Sequence, residues 1–316
     1  MIGAIIGDIV GSPYEFHNIK RKDFLLFQTS SHFTDDTMMT LANAKWLTED
    51  HTHSPAGLVK LMREIGRSDP YIGYGPTFIE WLYVPDELAV PYNSWGNGAG
   101  MRVSPVGLFA HSMEECLYLA KISAEVTHNH PEGIKGAQAI ASSVFIVRES
   151  GDAFSEDTKS RVKTFVEEKF GYDLDFTIDE IRPGYGFDVS CQGSCPQAIR
   201  AYLEGMDFED AVRLAVSIGG DSDTIACMAG AIAGAAGQIP EDISRKAYDI
   251  LSPDLQMILD KFEHSISIRI LGDWHFVGLY LTISESFAFV SGVTSTCSCA
   301  SSFMEISSDF ILGVIQ

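Results

Sequence analysis

Gly3, Gly7 and Gly11 recur at every fourth position near the start of this chain, in the run Gly3-Ala4-Ile5-Ile6-Gly7-Asp8-Ile9-Val10-Gly11. A helix stacks residues four apart on one face, so this spacing predicts a helix with a bare stripe made for close packing. The segment from Thr224 to Ala236 is similar in kind. It is Ala-rich, carries Gly230 and Gly234, and is apolar throughout, which predicts a buried central helix. A dinucleotide fingerprint does not fit the N-terminal run, because the glycine spacing is wrong and no strand can precede Gly3.

Helical periodicity continues between these segments. Asp36 to Leu47, Glu114 to Val126 and Ile134 to Val147 each place apolar residues at helical spacing. Pro196 to Leu203 and Phe208 to Val216 read as two amphipathic helices split at Gly205, and strand signals are few. Hydrophobic residues at 46% and charged residues at 21% exclude wholesale disorder. A single all-α domain over residues 1–264 is the expectation. From Ser265 the pattern changes. The remaining residues carry 11 serines and one basic residue, Arg269, and the run Phe276 to Ile283 suits a strand. Residues 265–316 are expected to be an atypical tail, either short strands or a poorly packed segment.

The 22 basic and 43 acidic residues give a net charge of −21, which disfavours a phosphate-tracking nucleic-acid surface. An anion can still be bound, through local donors or metal ions. No signal peptide or membrane span is expected. The least charged long stretch, Ser286 to Met304, contains eight serines and threonines among its 19 residues. The six cysteines form no CxxC pair, and Cys191 and Cys195 read as reduced cysteines near a turn. The expectation is a cytoplasmic monomer without membrane attachment.

Two acidic motifs open helices. In Phe33-Thr34-Asp35-Asp36-Thr37, Thr34 stands in N-cap position with two carboxylates in the first turn. In Gly219-Gly220-Asp221-Ser222-Asp223-Thr224, paired glycines precede two more. Either alone reads as a helix cap. If they face each other, four carboxylates crowd together and need cations. Oxygen ligands select Mg²⁺, Mn²⁺ or Ca²⁺ over zinc. Glu15, in Gly11-Ser12-Pro13-Tyr14-Glu15-Phe16, is a further acid beside a helix end, or a solvated turn residue. The glycine-rich segment Gly96-Asn97-Gly98-Ala99-Gly100-Met101-Arg102 offers N–H groups and a guanidinium to a phosphate, or is a structural turn. In Thr127-His128-Asn129-His130-Pro131, the histidines suit hydrogen bonding to a polar ligand, or capping of the next helix, better than zinc.

These motifs, in this order over residues 1–264, resemble the ADP-ribosylglycohydrolase family. The resemblance implies an all-α orthogonal helical bundle with a binuclear Mg²⁺ or Mn²⁺ centre. It also implies cleavage of the bond between C1″ of ADP-ribose and an acceptor, on an ADP-ribosylated protein or a small ADP-ribose conjugate. Thr34, Asp35 and Asp36 match the family's first metal-ligand motif, and Asp221, Asp223 and Thr224 the second. Glu15 matches a glutamate that some members use as a metal-linked catalytic acid, with Asp36 as the other candidate catalytic carboxylate. Gly96, Asn97, Gly98, Ala99, Gly100, Met101 and Arg102 match the loop that wraps the diphosphate, and His128 a position near the distal ribose. Gly100 departs from the Ala or Ser usual there. The tail has no counterpart in the resemblance.

Two rival readings follow from the same residues. A binuclear metal site also suits a phosphohydrolase. A catalytically idle ADP-ribose-binding or structural relative would keep the fold without the chemistry.

Overall fold

The computed structural model describes residues 1–268. Among these the architecture is all-α, as the sequence predicts, and the one extended pairing is an antiparallel bridge between Gly96 and Ser190. The chain runs α1 (Ile2–Gly11), α2 (Asp35–Glu49), α3 (Pro55–Ser68), α4 (Pro76–Tyr83), α5 (Gly98–Met101), α6 (Ser104–Phe109) and α7 (Met113–Glu125). It continues through α8 (Pro131–Ser150), α9 (Glu156–Phe170), α10 (Ile178–Ile181), α11 (Cys191–Glu204), α12 (Phe208–Ile218), α13 (Ser222–Ala233) and α14 (Glu241–Ile250). A further helix over residues 253–268 crosses position 264, where the sequence reading ends the catalytic domain. The expected strand and tail features beyond residue 268 lie outside the described residues.

The helix pair α1 and α13 forms the centre, and its packing follows from the bare stripe. A Cβ on Gly3 would lie 2.4 Å from the Gly230 carbonyl oxygen, one on Gly7 2.0 Å from that of Ala226, and one on Gly11 2.4 Å from the Asp223 Cα. Every residue of α13 is buried. On the other faces of α1, Ile5, Ile6 and Ile9 are fully buried. Each contributes about 1.5–3 kcal/mol of apolar burial. The long helix α8, with Ala137, Ala139, Ala141 and Val144 buried, packs against α6, α7 and α11 around this pair.

Two local readings are corrected. α11 begins at Cys191, capped by the Ser190 hydroxyl, five residues before the predicted start at Pro196. Cys191 and Cys195 therefore lie in a helix, buried and without a disulfide, rather than beside a turn. A proline signals a first turn. Here Pro196 sits one turn further in and costs α11 the backbone bond to Gln192, an exposed residue.

Candidate active-site cleft

Both acidic motifs lie at helix N-termini, and the fold brings those termini together. Thr34 is the N-cap of α2 and accepts from the Asp36 amide, as the sequence predicts. Asp221 is the N-cap of α13, but its side chain makes no capping bond. It accepts instead from the side-chain Nδ2 of Asn97 at 2.6 Å. Across the gap, the Thr224 hydroxyl donates to Asp36 Oδ2 at 3.1 Å, linking the two motifs directly. Glu15 ends the short turn after α1, and one oxygen each from Glu15, Asp221 and Asp223 lie within 4.8 Å of one another. Asp35 stands beside Gly73 on the opposite wall.

The acids sit in a cleft of about 640 Å³, lined also by Tyr74, Phe78, Asn97, Gly98, Arg102 and His128. Burial raises the carboxyls of Asp35, Asp36 and Asp223 well above the usual range, and their mutual repulsion adds to it. Burial, then the charges of Asp221 and Asp8, pushes Glu15 up to about 7. Asp36 Oδ1 is buried and has no hydrogen-bond partner. A buried carboxylate oxygen without a donor costs free energy unless a cation or a proton meets it. The donor set, all carboxylates and hydroxyls, fits a hard divalent cation.

Asp8 was not singled out as a site residue by the sequence, and it organises the site from behind. It is fully buried on α1 and accepts four hydrogen bonds. These come from the Thr34 amide (2.9 Å) and hydroxyl (2.8 Å) and from the Thr37 amide (3.1 Å) and hydroxyl. The signal for it was a carboxylate in the middle of a run of Gly, Ile and Val. Such an acid must find donors in the core.

The glycine-rich segment is held by α11. The Asn97 amide donates to the Val189 carbonyl at 2.8 Å, and the Cys191 amide to that of Trp95 at 3.0 Å. Gly98 and Ala99 start α5, where N–H groups have no intrahelical acceptor. A Cβ on Gly98 would lie 3.1 Å from His128 Nε2, so glycine lets the imidazole close against the backbone.

Arg102 departs from the expectation of a guanidinium offered as an open phosphate donor. It is 1% exposed and donates through Nη2 to the Ser123 carbonyl (2.7 Å) and the Thr127 hydroxyl (2.8 Å). That hydroxyl lies 2.7 Å from His128 Nδ1. The Thr127 hydroxyl thereby joins Arg102 to the His128 ring. Burial and the Arg102 charge hold His128 well below its usual pKa, so the ring is neutral. His130 caps α8 by accepting from the Glu132 amide, one of the two roles expected for these histidines.

The cleft rim was not predicted. Phe16 and Phe187 stack with ring centroids 6.1 Å apart, both largely exposed, and Trp95 and Val189 continue the edge. Tyr74 lines the wall with its hydroxyl buried and unpartnered.

The profile of the ADP-ribosylglycohydrolase family matches residues 1–267. The chain is 27% identical to human ADP-ribosylhydrolase ARH3, over 83% of this chain and 93% of that one. It is 29% identical to an uncharacterized protein of Archaeoglobus fulgidus, over 76% and 88%. It is 25% identical to the ADP-ribosylarginine hydrolase Tri1 of Pseudomonas putida, over 78% and 73%. Among solved structures, an ADP-ribosylglycohydrolase-related protein complex shares the fold with a TM-score of 0.60 at 23% identity, over 82% of this chain and 94% of that one. No helix among the described residues is long and apolar enough to cross a membrane.

Proposed function

The chain belongs to the ADP-ribosylglycohydrolase family, and we propose that it hydrolyses the bond between C1″ of ADP-ribose and an acceptor, on an ADP-ribosylated protein or a small conjugate. Two divalent cations, Mg²⁺ or Mn²⁺, would be held by Thr34, Asp35, Asp36, Asp221, Asp223 and Thr224, with Glu15 at the edge. The observation that carries this reading is the meeting of two acidic helix N-termini in one cleft, with Asp36 Oδ1 left without a donor. Bound there, the cations supply Lewis acidity and a template for the hydroxyls of the terminal ribose.

The chain's own groups do the rest. The N–H group of Gly98, on the cleft wall at the start of α5, is available to a substrate diphosphate beside the acids. His128, a neutral imidazole on the cleft wall, hydrogen-bonds a substrate group next to them. The surrounding carboxylates stabilise positive charge as C1″ takes on oxocarbenium character. Glu15, at the edge of the acid cluster, is the group placed to hold a proton for the leaving group or to take one from the attacking water.

A panel of ADP-ribose conjugates (arginine, serine and ester-linked), assayed with Mg²⁺ and with Mn²⁺ beside a simple phosphomonoester, tests the reading. Release of ADP-ribose from at least one conjugate, abolished by EDTA and restored by cation, is the expected result. Full activity in EDTA refutes the metal centre. Turnover of the phosphomonoester alone replaces the reading with a phosphohydrolase, and no turnover together with retained ADP-ribose binding replaces it with an idle relative.

A further inference from the structure

Glu15 is the cleft carboxylate whose placement the helices do not explain. α1 ends at Gly11 and the short turn at Tyr14, and residues 15–33 form no helix or strand. No backbone-to-backbone hydrogen bond involves residues 15–20 among the described residues. Yet a Glu15 oxygen is within 4.8 Å of oxygens of Asp221 and Asp223. Three like charges converge there, and free chain would swing Glu15 away into solvent.

One side chain spans this gap. Asn18 Nδ2 donates to the carbonyls of Tyr14 at 2.7 Å and Glu15 at 2.8 Å, closing the turn that carries Glu15. The same amide makes a two-way pair with Gly220, which directly precedes Asp221. Asn18 Oδ1 accepts from the Gly220 amide at 2.8 Å, and Nδ2 donates to the Gly220 carbonyl at 2.9 Å. Gly219 and Gly220 both have left-handed φ, +74° and +73°, so this is a turn that other residues resist and that needs external support. Asn18 is itself exposed, yet its amide is fully engaged. Lys20 adds a second strut from the same segment, donating to the carbonyls of Ile218 and Tyr185.

We infer that Asn18 is a positioning residue: it latches the Glu15 turn to the Gly219-Gly220 turn, and so sets the Glu15 carboxylate against Asp221 and Asp223 as a third donor to a divalent cation. The inference rests on reading the acid cluster as a cation site. It does not depend on which bond the protein cleaves. Outer residues that orient a ligating carboxylate typically change metal affinity by about 10–100-fold when removed.

The test is a double-mutant cycle on the full chain with Glu15→Gln, Asn18→Ala and the double variant. Mn²⁺ affinity is read by calorimetric titration, and kcat and KM on the best ADP-ribose conjugate. Asn18→Ala is expected to weaken Mn²⁺ binding about 10–100-fold and to lower kcat more than it raises KM. In the Glu15→Gln background it is expected to change either by no more than about twofold, because the group it positions is already gone. Additive losses overturn the proposal, and so does an Asn18→Ala protein that binds Mn²⁺ like the parent while only its melting temperature falls. If Asn18→Ala does not fold, Asn18→Ser goes through the same cycle. A parent protein that binds no Mn²⁺ overturns both the latch and the metal reading. Non-additive Mn²⁺ binding without any ADP-ribose release leaves the latch standing and removes the proposed activity.

Discussion

Asp8, within α1, and Asp36, in the first turn of α2, are both buried carboxylates, yet their surroundings are opposite. Asp8 accepts four hydrogen bonds from Thr34 and Thr37, and it does not line the cleft. Asp36 receives the Thr224 hydroxyl on one oxygen, while the other has no donor and the residue lines the cleft. Burial alone raises the carboxyl of each. The donors around Asp8 pull it back down, whereas the neighbours of Asp36 are mostly further acids. A saturated acid stabilises the fold and an under-satisfied one waits for a ligand. Sequence shows one aspartate inside an apolar helix and one at a helix start, but not which of them meets its full set of donors.

The comparison breaks most sharply at the cleft acids. Asp36→Ala and Asp223→Ala are expected to lower turnover by about a thousandfold or more, as losses of electrostatic transition-state groups do. Metal-free stability should hold or rise, since each change removes an under-compensated buried charge. Steady-state kinetics beside urea unfolding in EDTA read both effects, and a large stability loss in Asp36→Ala would erase the distinction. Asp8→Ala should do the reverse through the fold. Four orphaned donors are expected to cost about 3–5 kcal/mol in urea unfolding.

A pH series sharpens the same contrast. Glu15, raised to about 7 in the folded chain, binds more protons there than when unfolded. Metal-free stability is therefore expected to fall as pH rises from about 4.5 through 7. Added Mn²⁺ should flatten that slope in thermal melts. A melting temperature that rises over this range without metal would contradict the charge crowding. The smallest effect is expected at Asn97, which reaches Asp221 from the glycine-rich segment. Asn97→Ala should weaken cation binding about tenfold, seen by calorimetry, with little change in folding.

Much of this was legible in the sequence for reasons that can be named. The glycine stripe of α1, the small residues of α13 and the Thr34 cap each impose a local geometry that tertiary context did not override. The acidic motifs were legible as helix starts, and their order carried the family resemblance. What was hidden depended on the other side of a contact. Arg102 reads as an exposed phosphate donor until it is seen buried, with its Nη2 turned to Ser123 and Thr127. Asn18 reads as a loop residue until Gly220 is placed opposite it. The start of α11 was missed because Pro196 usually marks a first turn, and only the Ser190 cap shows otherwise.

The bare stripe between α1 and α13 has one more consequence. Where Gly3 meets Gly230 and Gly11 meets Asp223, peptide groups touch with no side chain between them. Side chains can change rotamer and absorb error, but peptide planes cannot. The offset between the end of α1 and the start of α13 is thus a rigid datum, machined into the backbone and insulated from repacking elsewhere. A methyl group at Gly11 would press on the Ser222 and Asp223 backbone, and only a displacement of the start of α13, with the carboxylates it carries, could make room for it.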